Sequence, residues 1–180
     1  MIEVLISAFV LALGVIGAAG MQLAALRTSQ QSAFQTTALE LAVEIADKMR
    51  ANDSQMRRPD NPFLKVNFNS AGGTGSSTSG SLCYSKGANC GAEALAQFDI
   101  HEWENRVRAS LPGARAVICR DASPWNNGVG ALAWACTESP GASLVVKLGW
   151  QPKNPDDSLV TDDAKQFPPS VALIVEPYIK

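Results

Sequence analysis

The feature that most constrains this chain is an apolar run over residues 1–26 that contains a single charged residue, Glu3. A helix rises about 1.5 Å per residue, so this run would span roughly 39 Å and could cross a bilayer core of about 30 Å. Arg27 ends the run. A cleavable secretory signal normally begins with basic residues, whereas this segment carries an acid, so we favour a retained membrane-spanning helix.

The helical pattern continues beyond the apolar run. Between Arg27 and Asn52 there is neither proline nor glycine. Apolar residues recur there at the three- and four-residue spacing of one helix face. The predicted packing face consists of Phe34, Ala38, Leu41, Ile45 and Met49. We expect Glu44 and Lys48 to pair at i,i+4, and the helix to end at Asn52.

Three glycines, Gly14, Gly17 and Gly20, interrupt the apolar half of this helix. Small residues are tolerated in membrane helices because they allow close packing. Each glycine also lowers helix stability by about 1 kcal/mol. Two interpretations of these glycines therefore remain: ordinary close packing between helices, or a stretch of helix whose lower stability has a function.

The rest of the chain predicts a second helix and several strands. The helix is expected over residues 92–111, where Pro112 and Gly113 stop it, and Asp99 with Glu102 fits a capping box for its second part. Segments rich in β-branched residues predict strands. Their expected ranges are 114–120, 143–151 and 170–177, with a shorter strand at 132–137.

These elements predict an α+β fold. Turn-like links between the strands indicate an antiparallel sheet, which would lie on the amphipathic half of the long helix and bury its packing face. The expected division is a transmembrane half-helix at 1–26, an amphipathic half-helix at 27–53 and a globular α+β domain at 54–180. Read as one helix, residues 1–52 would be roughly 78 Å long, which is too long for the interior of a small domain.

Composition argues against several classes of function. The net charge of −2 excludes a general polyanion binder, so no nucleic acid is expected. A single histidine, His101, makes histidine-based catalysis and metal sites unfavourable. The glycine- and serine-rich loop at 72–80 lacks the lysine of a phosphate-binding loop, and the aspartate pairs at 156–157 and 162–163 do not match a calcium loop. We expect no enzyme activity, cofactor or metal.

The four cysteines, Cys83, Cys90, Cys119 and Cys136, indicate disulfides in an oxidising compartment. The intervals within the two successive pairs are longer than those typical of zinc sites. Four cysteines allow three pairings. We prefer Cys83–Cys90 with Cys119–Cys136, because each bond would close a loop that contains glycine; the two crossed pairings remain the alternatives.

The hexapeptide Met1-Ile2-Glu3-Val4-Leu5-Ile6, followed by an apolar helix, resembles the N terminus of type IV pilins and type II secretion pseudopilins. In that family a basic leader ending in glycine precedes phenylalanine, a small residue and this motif. We expect the sequence upstream of Met1 to supply the leader and the first two mature residues. The resemblance implies processing by a prepilin peptidase and methylation of the new N terminus.

A narrower resemblance lies at the end of the long helix. Met49-Arg50-Ala51-Asn52 is similar to the PilV type of minor pilin, as are Asp99, Trp103 and the closing Leu111-Pro112. This implies a single-pass inner-membrane protein with a periplasmic domain, which joins other minor pilins and the major pilin to prime a pilus and remains at or near its tip. Twitching motility, cell adhesion and a tip adhesin as a partner belong to the same expectation. A type II pseudopilin, and a signal-anchored periplasmic enzyme or binding domain, are the alternatives.

Glu3 has two interpretations. A carboxylate at the bilayer centre costs about 2.5–3.5 kcal/mol, but at the headgroups the cost is small. Glu3 is therefore either an interfacial residue or one that is neutralised by another chain. The pilin resemblance implies the second, with the N-terminal ammonium of a neighbouring subunit as the partner. It also implies that the helix around Gly14, Gly17 and Gly20 loses order in the filament.

Overall fold

The computed structural model describes residues 2–70, 72–73, 83–85, 87–139, 141–151 and 167–175. The predicted loop at 72–80, apart from residues 72 and 73, the aspartate pairs at 156–157 and 162–163, and the last two residues of the strand predicted at 170–177 lie outside these residues. The chain forms two compact units, Met1–Thr36 and Thr37–Lys180, which are described separately below. The sequence predicts that the membrane-spanning part of the helix ends between residues 26 and 27, and this boundary stays a prediction.

The long helix α1 runs over Ile2–Ala51 and ends next to the predicted residue, Asn52. In the first unit every residue from 2 to 33 is exposed, and Phe34 is half-buried. The helix passes through its three glycines without a break. Its stability in this stretch cannot come from packing inside the unit, because the side chains face outward all round.

In the second unit α1 becomes a packed helix. Four residues of the predicted packing face are buried, namely Ala38, Leu41, Ile45 and Met49. Ala42 and Ala46 are buried as well, so the apolar stripe is wider than the sequence spacing indicates. Small side chains at these two positions let neighbouring elements approach the helix closely.

Two short helical turns and one longer helix follow α1. Helix α2 covers Asp53–Met56, a 3₁₀ helix covers Pro62–Lys65, and α3 covers Ala92–Ser110. The 3₁₀ helix begins at Asn61, whose side chain accepts a hydrogen bond from the Leu64 N–H, and proline suits its first position because no N–H is needed there.

The described strands form one four-stranded antiparallel sheet and a small hairpin. The sheet has the order β1-β2-β5-β6, and the hairpin pairs β3 with β4. The strands are β1 (Asn67–Asn69), β2 (Arg115–Arg120), β3 (Trp125–Asn126), β4 (Ala131–Leu132), β5 (Leu144–Gly149) and β6 (Val171–Val175). The α+β prediction, with a long apolar helix and a small antiparallel sheet, is confirmed.

The sheet is covered on both faces. Phe68, Ala116 and Leu148 are in register and buried on one face, where Arg108 of α3 lies over the Phe68 ring. Alternation along the strands puts Cys119, Lys147 and Gly149 on the opposite face. That face is covered by residues 121–139, which we call the cover segment.

Two sequence predictions about these elements are wrong. The strand expected at 132–137 is limited to Ala131–Leu132, because the carbonyls of Ala133 and Ala135 accept hydrogen bonds from the Lys147 ammonium instead of from a strand partner. Asp99 does not cap a second part of α3, because that helix is continuous from Ala92.

Candidate functional site

The surface of α1 over residues 2–26 is almost entirely apolar. An 18-residue window of this helix has a mean hydropathy of 2.4 and no buried residue, which makes α1 long and apolar enough to cross a membrane. Large apolar side chains on this surface are exposed to solvent: Ile2, Phe9 and Leu26 are 72%, 64% and 61% exposed. A soluble domain does not leave a patch of this size in water, so the helix is built to contact lipid or other helices.

Glu3 lies in the first turn of this apolar helix. The backbone carbonyl of Glu3 accepts a hydrogen bond from the Ser7 hydroxyl at 2.8 Å, but its carboxylate has no ion-pair partner among the described residues. The only basic residue in the first 36 is Arg27, which lies about 36 Å further along a helix. Among the described residues of this unit, no cation therefore lies within reach of the Glu3 carboxylate.

Gly14, Gly17 and Gly20 face open space on this helix. A Cβ atom added at any of them would meet nothing within 4 Å. No close contact inside the chain requires glycine at these positions. Their role, whether in close helix packing or in softening the helix, stays a prediction about the assembled state.

Polar contacts join α1 to α3 in the second unit. Lys48 pairs with Asp99 at 2.7 Å, and Glu44 pairs with Arg106. The Trp103 indole N–H donates to the Leu41 carbonyl at 2.8 Å. The i,i+4 pair predicted between Glu44 and Lys48 is therefore wrong, because each residue finds its partner on the neighbouring helix.

His101 lies on α3 within reach of the Asn105 side chain, 3.1 Å from ring Nε2 to Nδ2. No nucleophilic side chain contacts it among the described residues, and Glu104, three residues further on, is buried. This contact fits the structural role that the sequence predicts for His101.

Both local disulfides are present. Cys83 is bonded to Cys90 and Cys119 to Cys136, which is the pairing preferred from the sequence. The second bond ties the end of the cover segment to β2. Glu138 lies beside the Cys119–Cys136 sulfurs, but metals bind the thiolate form of cysteine, which a disulfide does not offer.

A buried ion pair and two further hydrogen bonds hold the beginning and the later part of the cover segment to the sheet. Lys147 of β5 and Asp121 both have side chains with no solvent exposure, and they are 2.5 Å apart. The Lys147 ammonium also donates to the carbonyls of Ala133 and Ala135 at 2.7 and 2.8 Å. All three ammonium donors thus have acceptors, which is the condition under which a buried lysine is tolerated.

The Asp121 carboxylate is held in its ionised form. Burial is the largest single influence and acts to raise its pKa. Hydrogen bonds from the Lys147 ammonium and from the backbone N–H groups of Ser123 and Thr137, together with the lysine charge, outweigh burial and lower the pKa below its ordinary value.

The other end of the sheet carries an aromatic platform, formed by Trp134 and Phe167. The Trp134 indole N–H donates to the Phe167 carbonyl at 2.5 Å, and the two rings meet edge to face. A Cβ atom at Gly149 would lie 3.0 Å from both rings, so a larger residue there would press against the platform. The Arg115 guanidinium stacks on Trp134, 4.5 Å from its centroid.

The sequence did not predict that Lys147 and Asp121 are buried together beneath the cover segment. Lys147 reads as an outward-facing residue of an ordinary strand, and Asp121 as a turn residue after β2. One signal was available: residues 122–137 contain no charge, which is unusual for a solvated loop, although residues 125–130 of this segment are exposed.

We expect the Cys119–Cys136 bond to contribute strongly to stability. A closed loop near this length is worth about 3 kcal/mol in the chain-entropy treatment. Replacing both cysteines by alanine should lower the melting temperature of the full chain in detergent, and peptide mapping of the unreduced protein should recover the bond. Free thiols, or a crossed bond to Cys83 or Cys90, would contradict the pairing.

One protein family matches this sequence. The model of the Tt1218-like family, described as type IV pilin Tt1218, matches residues 20–101. That range is somewhat less than half of the chain, and it covers most of α1, β1 and the first part of α3. No curated protein and no solved structure gives a significant match.

The exposed apolar helix and the small antiparallel sheet define an α+β protein whose N-terminal helix is long and apolar enough to serve as a membrane anchor. The family match adds that residues 20–101 of this chain are similar to type IV pilins. The Met1–Ile6 hexapeptide, which resembles the N terminus of the same family, lies outside the matched range. Type IV pilins are structural proteins that assemble with other pilins into a pilus.

Proposed function

We propose that this protein is a minor pilin of the PilV-like type, which primes assembly of a type IV pilus and stays at or near its tip. One observation carries the proposal. The exposed apolar part of α1, residues 2–26, bears a single carboxylate, Glu3, and the described residues of its unit offer no cation within reach. A buried charge without a partner is costly, so Glu3 selects a neighbour that supplies a positive group.

In this proposal the first unit is the assembly element. Before assembly it spans the inner membrane, with the sheet domain in the periplasm, where the two disulfides can form. After cleavage by the prepilin peptidase it packs among the helices of other minor pilins and the major pilin. Apolar contacts give affinity, and the Glu3 pair with a neighbour's N-terminal ammonium gives register.

The PilV-like assignment is supported by the end of α1. Met49 is buried, Arg50 pairs with Asp47 at 2.8 Å, and the Asn52 amide donates to the Ala92 carbonyl at 2.7 Å. Asn52, the last residue of the short motif that resembles this minor-pilin type, therefore joins the end of α1 to the start of α3. The motif has a structural task in this chain beyond its sequence likeness.

The test is to locate the protein and to delete its gene. We expect the protein in sheared pili at a small fraction of the major pilin, with antibody labelling at pilus tips. Deletion should reduce surface pili and twitching motility. Loss of protein secretion with normal pili would instead identify a type II pseudopilin, and labelling along the whole filament would contradict the tip position.

A further inference from the structure

Arg115 has no anionic partner among the residues that the structure describes. It begins β2, opposite Gly149 of β5, and its side chain is half-buried. Its guanidinium stacks on Trp134, but no carboxylate and no hydrogen-bond acceptor contacts it in the part of the chain that the structure describes. Partial burial lowers the pKa of Arg115 from its ordinary value, because nothing nearby offsets the lost hydration.

The other arginines of the second unit show that this situation is unusual here. Four of them pair with carboxylates, and Arg120 donates to the Ala142 carbonyl at 3.2 Å. The four paired residues are Arg50, Arg57, Arg58 and Arg106. Arg108 also stacks on a ring, that of Phe68, but it is exposed to water and lies within 3.5 Å of the Asn105 side chain. Of these arginines, Arg115 alone combines partial burial with the absence of an acceptor among the described residues.

The Arg115 guanidinium is also held in place. Trp134 is fixed by its hydrogen bond to the Phe167 carbonyl and by its close approach to Gly149. Stacking on the indole face restricts the guanidinium plane, so its edge N–H groups keep their direction. A planar cation oriented in this way suits a carboxylate, which it can bind through two parallel hydrogen bonds.

We propose that Arg115 on its Trp134 platform is a docking site for a carboxylate from a neighbouring pilin subunit. The inference rests on the proposed function, since it requires that subunits meet. Charge complementarity determines the chemistry of the occupant: the unpaired guanidinium takes an aspartate or glutamate side chain, or a C-terminal carboxylate, of the neighbour. The site adds a second polar contact to the assembly, on the sheet domain instead of on the apolar helix.

The first test compares Arg115→Met with Arg108→Met in the full-length protein. Both changes remove a stacked guanidinium and keep an unbranched apolar side chain. We expect Arg115→Met to lower the ratio of protein in sheared pili to protein in the inner membrane by about tenfold, the scale of a lost charge-assisted hydrogen bond, and Arg108→Met to leave it unchanged. Equal ratios for Arg115→Met and wild type would overturn the proposal.

A structural role for Arg115 predicts a different result. If the cation–π contact merely supports the fold, Arg115→Met should reduce the amount of protein in the membrane and its melting temperature in detergent. If the carboxylate belonged to this same chain, that melting temperature should fall and the fall should shrink at high salt. Either outcome would overturn the proposal.

The second test identifies the source of the carboxylate. In the Arg115→Lys variant a water-soluble carbodiimide can join the new amine to a carboxylate that lies in contact with it. We expect pili treated in this way to yield a cross-linked peptide between position 115 and an acidic residue of another pilin, and the Arg108→Lys variant to yield none. A cross-link within this chain, or none at position 115 in pili that contain the variant, would contradict the proposal.

These outcomes separate the two claims. Glu3 belongs to the first unit and Arg115 to the second. If the wild-type protein is present in sheared pili while Arg115→Met enters them normally, the docking site is wrong and the pilin role stands. If the wild-type protein is absent from pili, the proposed function fails and the docking site fails with it.

Discussion

Glu3→Ala is expected to remove most of this protein from pili without removing it from the membrane. The substitution eliminates the one charge in the apolar run, so insertion should be unchanged or better. Assembly should suffer, because the neighbour's N-terminal ammonium would lie unpaired among apolar helices. Breaking a buried pair in this way costs about 3–5 kcal/mol, which corresponds to more than a hundredfold in an equilibrium.

The measurement is the ratio of protein in sheared pili to protein in the inner membrane. Glu40→Ala is the matched control, because Glu40 is an exposed acid of the same helix without an ion-pair partner among the described residues. Ser7→Ala tests the neighbouring hydroxyl, whose hydrogen bond goes to the Glu3 carbonyl and not to its carboxylate. Both controls should assemble normally. If Glu3→Ala also assembles normally, Glu3 is an interfacial residue.

Glu3→Gln separates charge from shape. Glutamine keeps the size of the side chain and its hydrogen-bonding capacity, but it cannot neutralise an ammonium. We expect it to resemble Glu3→Ala in assembly. Cleavage of the leader should survive in all of these variants, because the glutamate lies beyond the processing junction of the family pattern.

The helical spacing of apolar residues was the most reliable predictor of structure in this sequence. The spacing of Leu41, Ile45 and Met49 predicted burial that the structure shows, because a helix face repeats over many residues and the signal accumulates. The strands around Ile118 and Val146 were predictable for a related reason: β-branched runs bounded by turn residues leave few alternatives. The ends of these elements shifted by only one or two residues.

Features that depend on a few residues were not predictable. Strand β1 is three residues long, and its sequence Asn67-Phe68-Asn69 carries too short an alternation to be recognised. The contacts of Lys48 with Asp99 and of Lys147 with Asp121 join residues distant in sequence. The sequence alone does not indicate whether a charged residue is hydrated or pairs with a buried acid. These two ion pairs could therefore be identified only from the three-dimensional structure.

Lys147→Met is expected to be the most destabilising single substitution in the sheet domain. Methionine fills a similar volume, but it leaves the Asp121 carboxylate buried without its counterion and the Ala133 and Ala135 carbonyls without a donor. Removing one partner of a buried pair costs about 3–5 kcal/mol. In a chain of this size that corresponds to a fall in melting temperature of about 6–20 °C.

Thermal unfolding of the full chain in detergent, followed by circular dichroism, measures this effect. Lys65→Met is the control, because Lys65 is exposed and lacks an ion-pair partner in the described part of the chain. Substitutions at such sites usually change stability by less than about 0.5 kcal/mol. Equal melting temperatures for the two variants would show that the Lys147–Asp121 pair does not hold the cover segment to the sheet.

The same pair predicts a dependence on acid. Because the folded protein lowers the pKa of Asp121, the contribution of this carboxylate is complete above its unfolded pKa, near 3.8. It is lost as the pH falls through the lower folded value, since protonation then favours the unfolded chain. Asp121→Asn has no carboxylate to protonate, so its melting temperature should fall less than that of the wild type between neutral pH and about pH 3. Parallel pH profiles for the two proteins would show that acid unfolding proceeds through other carboxylates, and that the hydrogen bonds from Lys147 do not hold Asp121 ionised.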